Sequence, residues 1–171
     1  MKKLLNIVAA AAVMISATAA MAQTGNGSDV TGGTVTSTIG GLYSPSGHES
    51  RGGTFTAPSS TPVTIRGGGG SAAASGVMNG TPGAAAAFTG GLTNAGIPLA
   101  AAQGITNALS TLEAGGSVTF GNVANAVNSW NAAVASLTVP QLRVLMRSPE
   151  GRAAFRTLGR ARSGAIRASR S

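Results

Sequence analysis

The chain has 171 residues and a formal net charge of +8, yet only 9% of its residues are charged and 4% are aromatic. It has no cysteine and a single histidine. Those counts exclude a disulfide-stapled fold and a thiolate metal site, and they leave few acid–base groups for catalysis.

The first element in chain order is an export signal. Lys2 and Lys3 precede a largely apolar stretch from Leu4 to Ala20, and Ala20-Met21-Ala22 places small residues where a signal peptidase reads. Residues 1–22 therefore have the three-part pattern of a bacterial secretory signal, with cleavage expected after Ala22. A membrane anchor is the alternative, but the apolar run softens at Ser16, Ala17 and Thr18. No other stretch reaches the ~18 consecutive apolar residues of a membrane span. The expected location is the periplasm, the cell surface or the medium, with no transmembrane span left after processing.

Beyond the signal the charge is unevenly placed. Residues 23–142 hold Arg51 and Arg66 against Asp29, Glu49 and Glu113, a net of −1. Residues 143–171 hold eight arginines against Glu150, a net of +7. The basic character belongs to the last 29 residues.

Residues 23–95 form a low-complexity arm rich in Gly, Ser, Thr and Ala. Thr34-Val35-Thr36, Thr54-Phe55-Thr56 and Val63-Thr64-Ile65 alternate as strands do, but glycine pairs interrupt them. Such short runs bury little surface against roughly 1–2 kcal/mol of backbone entropy per residue. The arm is predicted to be mostly disordered, with marginal hairpins at best. Arg66 to Gly76, RGGGGSAAASG, resembles a flexible linker. Tyr43 is an isolated aromatic with no assigned role.

Residues 96–160 are predicted to be a small helical domain. Pro98 suits a first helical turn, and Ala101, Ile105, Ala108, Leu109 and Leu112 then share one face before Gly115-Gly116 ends the helix. The best-patterned helix follows. Phe120, Val123, Val127, Trp130, Val134 and Leu137 recur at alternating steps of three and four, a seam with a seven-residue repeat. Thr119 is its expected N-cap, with Val118 and Val123 as a hydrophobic staple. Asn122, Asn125, Asn128 and Asn131 fall off the seam and are weak helix formers. The short connection at Gly115 to Val118 sets the two helices antiparallel, as a hairpin.

Two short basic helices complete the domain. Thr138-Val139-Pro140-Gln141 reads as a capping box, carrying Leu142, Leu145 and Met146 inward and Arg143 and Arg147 outward. Ser148-Pro149-Glu150 starts the last helix, on which Phe155 and Leu158 make a narrow apolar stripe. Gly159 and Gly164 weaken its continuation, so residues 161–171 are predicted to be a basic tail. Four helices order about 60 residues, and such a core rarely provides more than ~3–5 kcal/mol. The seam is either the inside of this core or a face covered by another copy of the chain or by a partner.

Motifs for chemistry are missing. His48-Glu49 lacks the second histidine of a helical zinc motif, and Gly67 to Gly70 has no phosphate-loop lysine. A serine triad built on His48 would stand in a glycine-rich segment that cannot hold three groups in place. No catalytic residue, metal or cofactor is expected.

The arginines carry the functional expectation. Arg152, Arg156 and Arg160 stand four residues apart on one helix face, as do Arg143 and Arg147. Like charges at that spacing repel by a few tenths of a kcal/mol per pair, so the fold alone does not call for them. A solvated face that keeps an Ala/Gly-rich protein soluble is one reading. The other is an anionic surface, lipid or polysaccharide, bound by Arg143, Arg147, Arg152, Arg156, Arg160, Arg162, Arg167 and Arg170. Sequence-specific nucleic-acid binding is not expected, for no recognition motif is present. The alternative role is an assembly or structural subunit that self-associates through the Phe120–Leu137 seam.

Overall fold

The computed structural model describes residues 34–44, 50–65, 72–112 and 118–171, all within one unit. Four short strands come first: β1 (Thr36–Ile39), β2 (Leu42–Tyr43), β3 (Ser50–Arg51) and β4 (Phe55–Pro58). Six helices follow: α1 (Ala72–Met78), α2 (Ala84–Asn94), α3 (Leu99–Ser110), α4 (Phe120–Ala135), α5 (Val139–Arg147) and α6 (Pro149–Ala168). The chain is mainly helical. Residues 1–22, the expected signal, lie outside the described residues.

Helix α4 is the centre of the core. Phe120, Val123, Val127, Trp130 and Val134 are wholly buried and Leu137 nearly so, so the seam faces inward along its whole length. Its neighbours are α3, α6, β1 and β2. Thr119 caps the helix as expected: its Oγ1 accepts from Asn122 N at 3.2 Å, and Asn122 Oδ1 accepts from Thr119 N at 2.9 Å. An asparagine thus closes a capping box usually closed by Glu or Gln. Two further orphan donors of the first turn, Phe120 N and Gly121 N, donate to Thr61 O and Ser59 O at 2.8 and 2.9 Å.

The apolar face expected of α3 is buried, from Ala101 through Leu112. Pro98 is the residue before the helix rather than part of its first turn. Gly104, in the middle of α3, lies against Ala133, near the end of α4; a Cβ on Gly104 would stand 3.2 Å from that methyl. Helix α3 packs along α4. Its Gly115-Gly116 stop lies outside the described residues.

The reading of residues 23–95 as a mostly disordered arm is corrected by the parts described. β1 pairs antiparallel with β4 and β2 with β3, giving two two-stranded sheets. Ile39, Leu42, Ala57 and Val63 enter the core. Of the three alternating runs, Thr34 to Thr36 only meets the start of β1, Thr54 to Thr56 overlaps β4, and Val63 to Ile65 is no strand. Val63 instead donates its N–H to Val118 O at 2.8 Å, beside the start of α4. The linker-like stretch becomes helical from Ala72, and α1 and α2 bury Ala74, Val77, Phe88 and Leu92.

The physical reason is long-range pairing of backbone groups. Trp130 Nε1 donates to Tyr43 O at 3.0 Å. Asn131 Oδ1 accepts from Tyr43 N, and Asn131 Nδ2 donates to Gly41 O, both at 2.9 Å. One asparagine side chain thereby pairs with β2 much as a neighbouring strand would. Local burial undercounts a segment whose partners lie some 90 residues on.

Helix α6 departs from the expected short helix and tail. It is one helix of 20 residues, including most of 161–171. Ser148 starts it, accepting from Gly151 N at 3.0 Å and donating to Leu145 O at 2.8 Å. Its buried face is made of small residues: Gly151, Ala153, Ala154, Thr157, Ala161, Gly164 and Ala165, with Leu158 among them. Gly164 is a requirement rather than a weakness, because a Cβ there would stand 2.7 Å from Thr64 O. A Cβ on Gly151 would collide with the Leu145 carbonyl. Phe155 is half-buried and tilts against Trp130, with ring centroids 5.8 Å apart.

Candidate functional site: an arginine face on α5 and α6

The buried face of α6 determines what lies opposite. With Gly151, Ala154, Leu158, Ala161 and Ala165 held inward, the 3.6-residue period turns Arg152, Arg156, Gly159, Arg160, Ser163 and Arg167 to the other side. Arg152, Arg156 and Arg167 are exposed and Arg160 is half-buried. On α5, Leu142 and Leu145 are buried, and Arg143 and Arg147 are exposed. The start of α5 is held as expected, with Thr138 N donating to Gln141 Oε1 at 2.9 Å.

Five residues of α6 line a shallow depression of about 400 Å³: Arg156, Gly159, Arg160, Ser163 and Arg167. Ser163 Oγ donates to Gly159 O at 2.9 Å along its floor. No carboxylate lines it. Another depression, about 470 Å³ between α2 and α3, is lined by neutral residues including Thr89, Leu99, Gln103 and Asn107.

Two of the eight arginines are placed otherwise than the sequence suggests. Arg162, one of the expected anionic-surface set, is tied into the fold. It donates from Nε to Gly40 O and from Nη2 to Gly53 O, each at 2.9 Å, and lies over the Phe55 ring, 5.8 Å from its centroid. Two residues beyond Arg160, it stands on a different side of the helix. Burial lowers its pKa from the ordinary arginine value. Arg170 also lies over Phe55, at 5.4 Å, although it remains exposed. Both are cation–π contacts, one on each side of the helix end.

The second predicted constellation, the seam, is brought together as a core. Phe120, Val123, Val127, Trp130 and Val134 have no exposed surface within a single chain. Within the chain, α3, α6, β1 and β2 cover it. What the sequence reading missed is Gly159 and Ser163, uncharged positions between the arginines. Their signal is their register, seven residues after Arg152 and after Arg156 respectively.

His48 and Glu49 lie outside the described residues. Among the described residues, no group of three or more His, Cys, Asp or Glu side chains comes close enough to hold a metal ion. Among them also, no helix is long and apolar enough to cross a membrane. Compared with known proteins, the chain matches no family model, no curated protein and no solved structure.

Proposed function

We propose that this chain is an exported, non-catalytic interaction protein whose arginine-bearing C-terminal end binds anionic envelope or extracellular surfaces. The observation that carries this reading is the exposure of Arg143, Arg147, Arg152, Arg156 and Arg167 on two successive helices. Among the described residues, the one carboxylate side chain is Glu150, which is turned toward Gly91 of α2. Export is supported by the lysine–apolar–small-residue pattern of residues 1–22.

The mode of binding follows from the other face of α6. Its small and apolar residues are committed to the core, so the helix has no free greasy side to lay into a bilayer. Contact is by guanidinium groups at a surface. Arginine's planar fork pairs with phosphate or carboxylate through two parallel hydrogen bonds. At ~1 kcal/mol per arginine near an anionic surface, five exposed arginines provide at most about 5 kcal/mol. Binding of that size is reversible and is screened by salt.

The test uses the purified protein and vesicles of phosphatidylcholine with or without phosphatidylglycerol. Binding only to the anionic vesicles, strong at about 50 mM salt and lost at about 500 mM, is the expected result. Equal binding at both salt concentrations, or to neutral vesicles, would sink the electrostatic reading.

A further inference from the structure

The three glycines of α6 within its buried and exposed faces are not alike. Gly151 and Gly164 are demanded by close approach of other backbone, at Leu145 and Thr64. Among the described residues nothing demands Gly159: a Cβ placed there meets no atom of theirs within 4 Å, and its φ is not positive. Glycine is among the poorest residues for a helix interior, so its presence at an open position mid-helix weakens the element. A glycine without a packing reason leaves a place where another group can come close to the backbone. Here that place is the floor of the depression, walled by Arg156, Arg160 and Arg167 with Ser163 beside it.

We propose that this depression is a seat for a phosphate group of a linear polyanion lying along α6. The proposal rests on the anionic-partner reading and makes it specific. Guanidinium groups on successive turns match a tetrahedral oxyanion, which accepts from several donors at once. The missing side chain at Gly159 lets the oxyanion sit between the arginines rather than above them. Length favours a chain over a single small ion. From Arg152 to Arg167 the helix rises about 22 Å at 1.5 Å per residue, so neighbouring groups of the same polymer reach the flanking arginines. A lipid headgroup shares the phosphate chemistry, but the lining residues include no large apolar side chain to receive the acyl region.

Two variants of the intact protein fill the depression without changing its charge: Gly159→Leu, and Ser163→Leu from the next turn. Affinities are measured for inorganic polyphosphate and for phosphatidylglycerol vesicles, with circular dichroism to confirm the helical fold. The expected result is a loss of polyphosphate affinity of about tenfold or more in each folded variant, with vesicle affinity held within about twofold. Unchanged polyphosphate affinity in both folded variants overturns the seat. A parallel loss for vesicles overturns the polymer in favour of a lipid headgroup. Vesicle binding by the unaltered protein without polyphosphate binding overturns the seat and leaves the broader reading standing. Binding of neither probe removes both.

Discussion

Arg162 Nε donates to the carbonyl oxygen of Gly40 at 2.9 Å, across 122 residues of chain. With its second bond to Gly53 O and its place over Phe55, it ties both sheet segments to the last helix. A cation inside the most basic stretch thus acts as a strut. Arg162→Met is expected to lower stability by about 1–3 kcal/mol, the range for a hydrogen bond to a charged group. Urea unfolding measures it. A loss below a few tenths would show that the two carbonyls find water equally well.

The outward arginines should behave in the opposite way. Arg156→Gln with Arg167→Gln removes two exposed charges. Stability is expected to hold or rise by a few tenths of a kcal/mol, since like charges at helical spacing repel. Affinity for anionic vesicles should fall by about 1 kcal/mol per arginine, roughly fivefold each. Comparing this variant with Arg162→Met separates the binding arginines from the structural one. If Arg162→Met weakens binding more per charge while both proteins stay folded, that separation is wrong.

The glycines of α6 predict a pair of opposite signs. Gly164→Ala forces a methyl to within 2.7 Å of Thr64 O, which is backbone and cannot swing away. The expected cost is about 1–3 kcal/mol, as for other overpacked sites. Gly159→Ala meets no atom within 4 Å and should raise stability by up to about 1 kcal/mol. Thermal melts of the two single variants test the contrast, and equal shifts would refute it.

Asn131 is expected to matter more than its polar, off-seam position suggests. Asn131→Leu leaves Tyr43 N and Gly41 O without the partners they now have at 2.9 Å. Unpaired backbone groups that are partly buried cost about 1–3 kcal/mol each. Amide hydrogen exchange at Tyr43 should quicken well before global unfolding. Persistent protection there in the variant would mean that β2 is held by something else.

The buried faces of α3 and α4, the seam and the starts of α4, α5 and α6 could be read from the residues before any coordinates. Each start depends on groups within a turn of one another: Thr119 with Asn122, Thr138 with Gln141, Ser148 with the backbone N–H of Gly151. A seven-residue apolar repeat has one buried side wherever it is placed, so Trp130 and its companions were bound to face inward somewhere. The net of +7 past residue 142 was equally plain. Tertiary structure alone decided what lay beyond that reach. Sparse apolar residues interrupted by glycine give residues 34–44 and 50–65 no local reason to order, and the order comes from Trp130, Asn131 and Arg162, which bind carbonyls and amides far back along the chain. The same distance explains the split among the arginines. Arg160 and Arg162 look alike in a row of letters, but only the position of Gly40 and Gly53 beside one side of α6 turns the second into part of the fold.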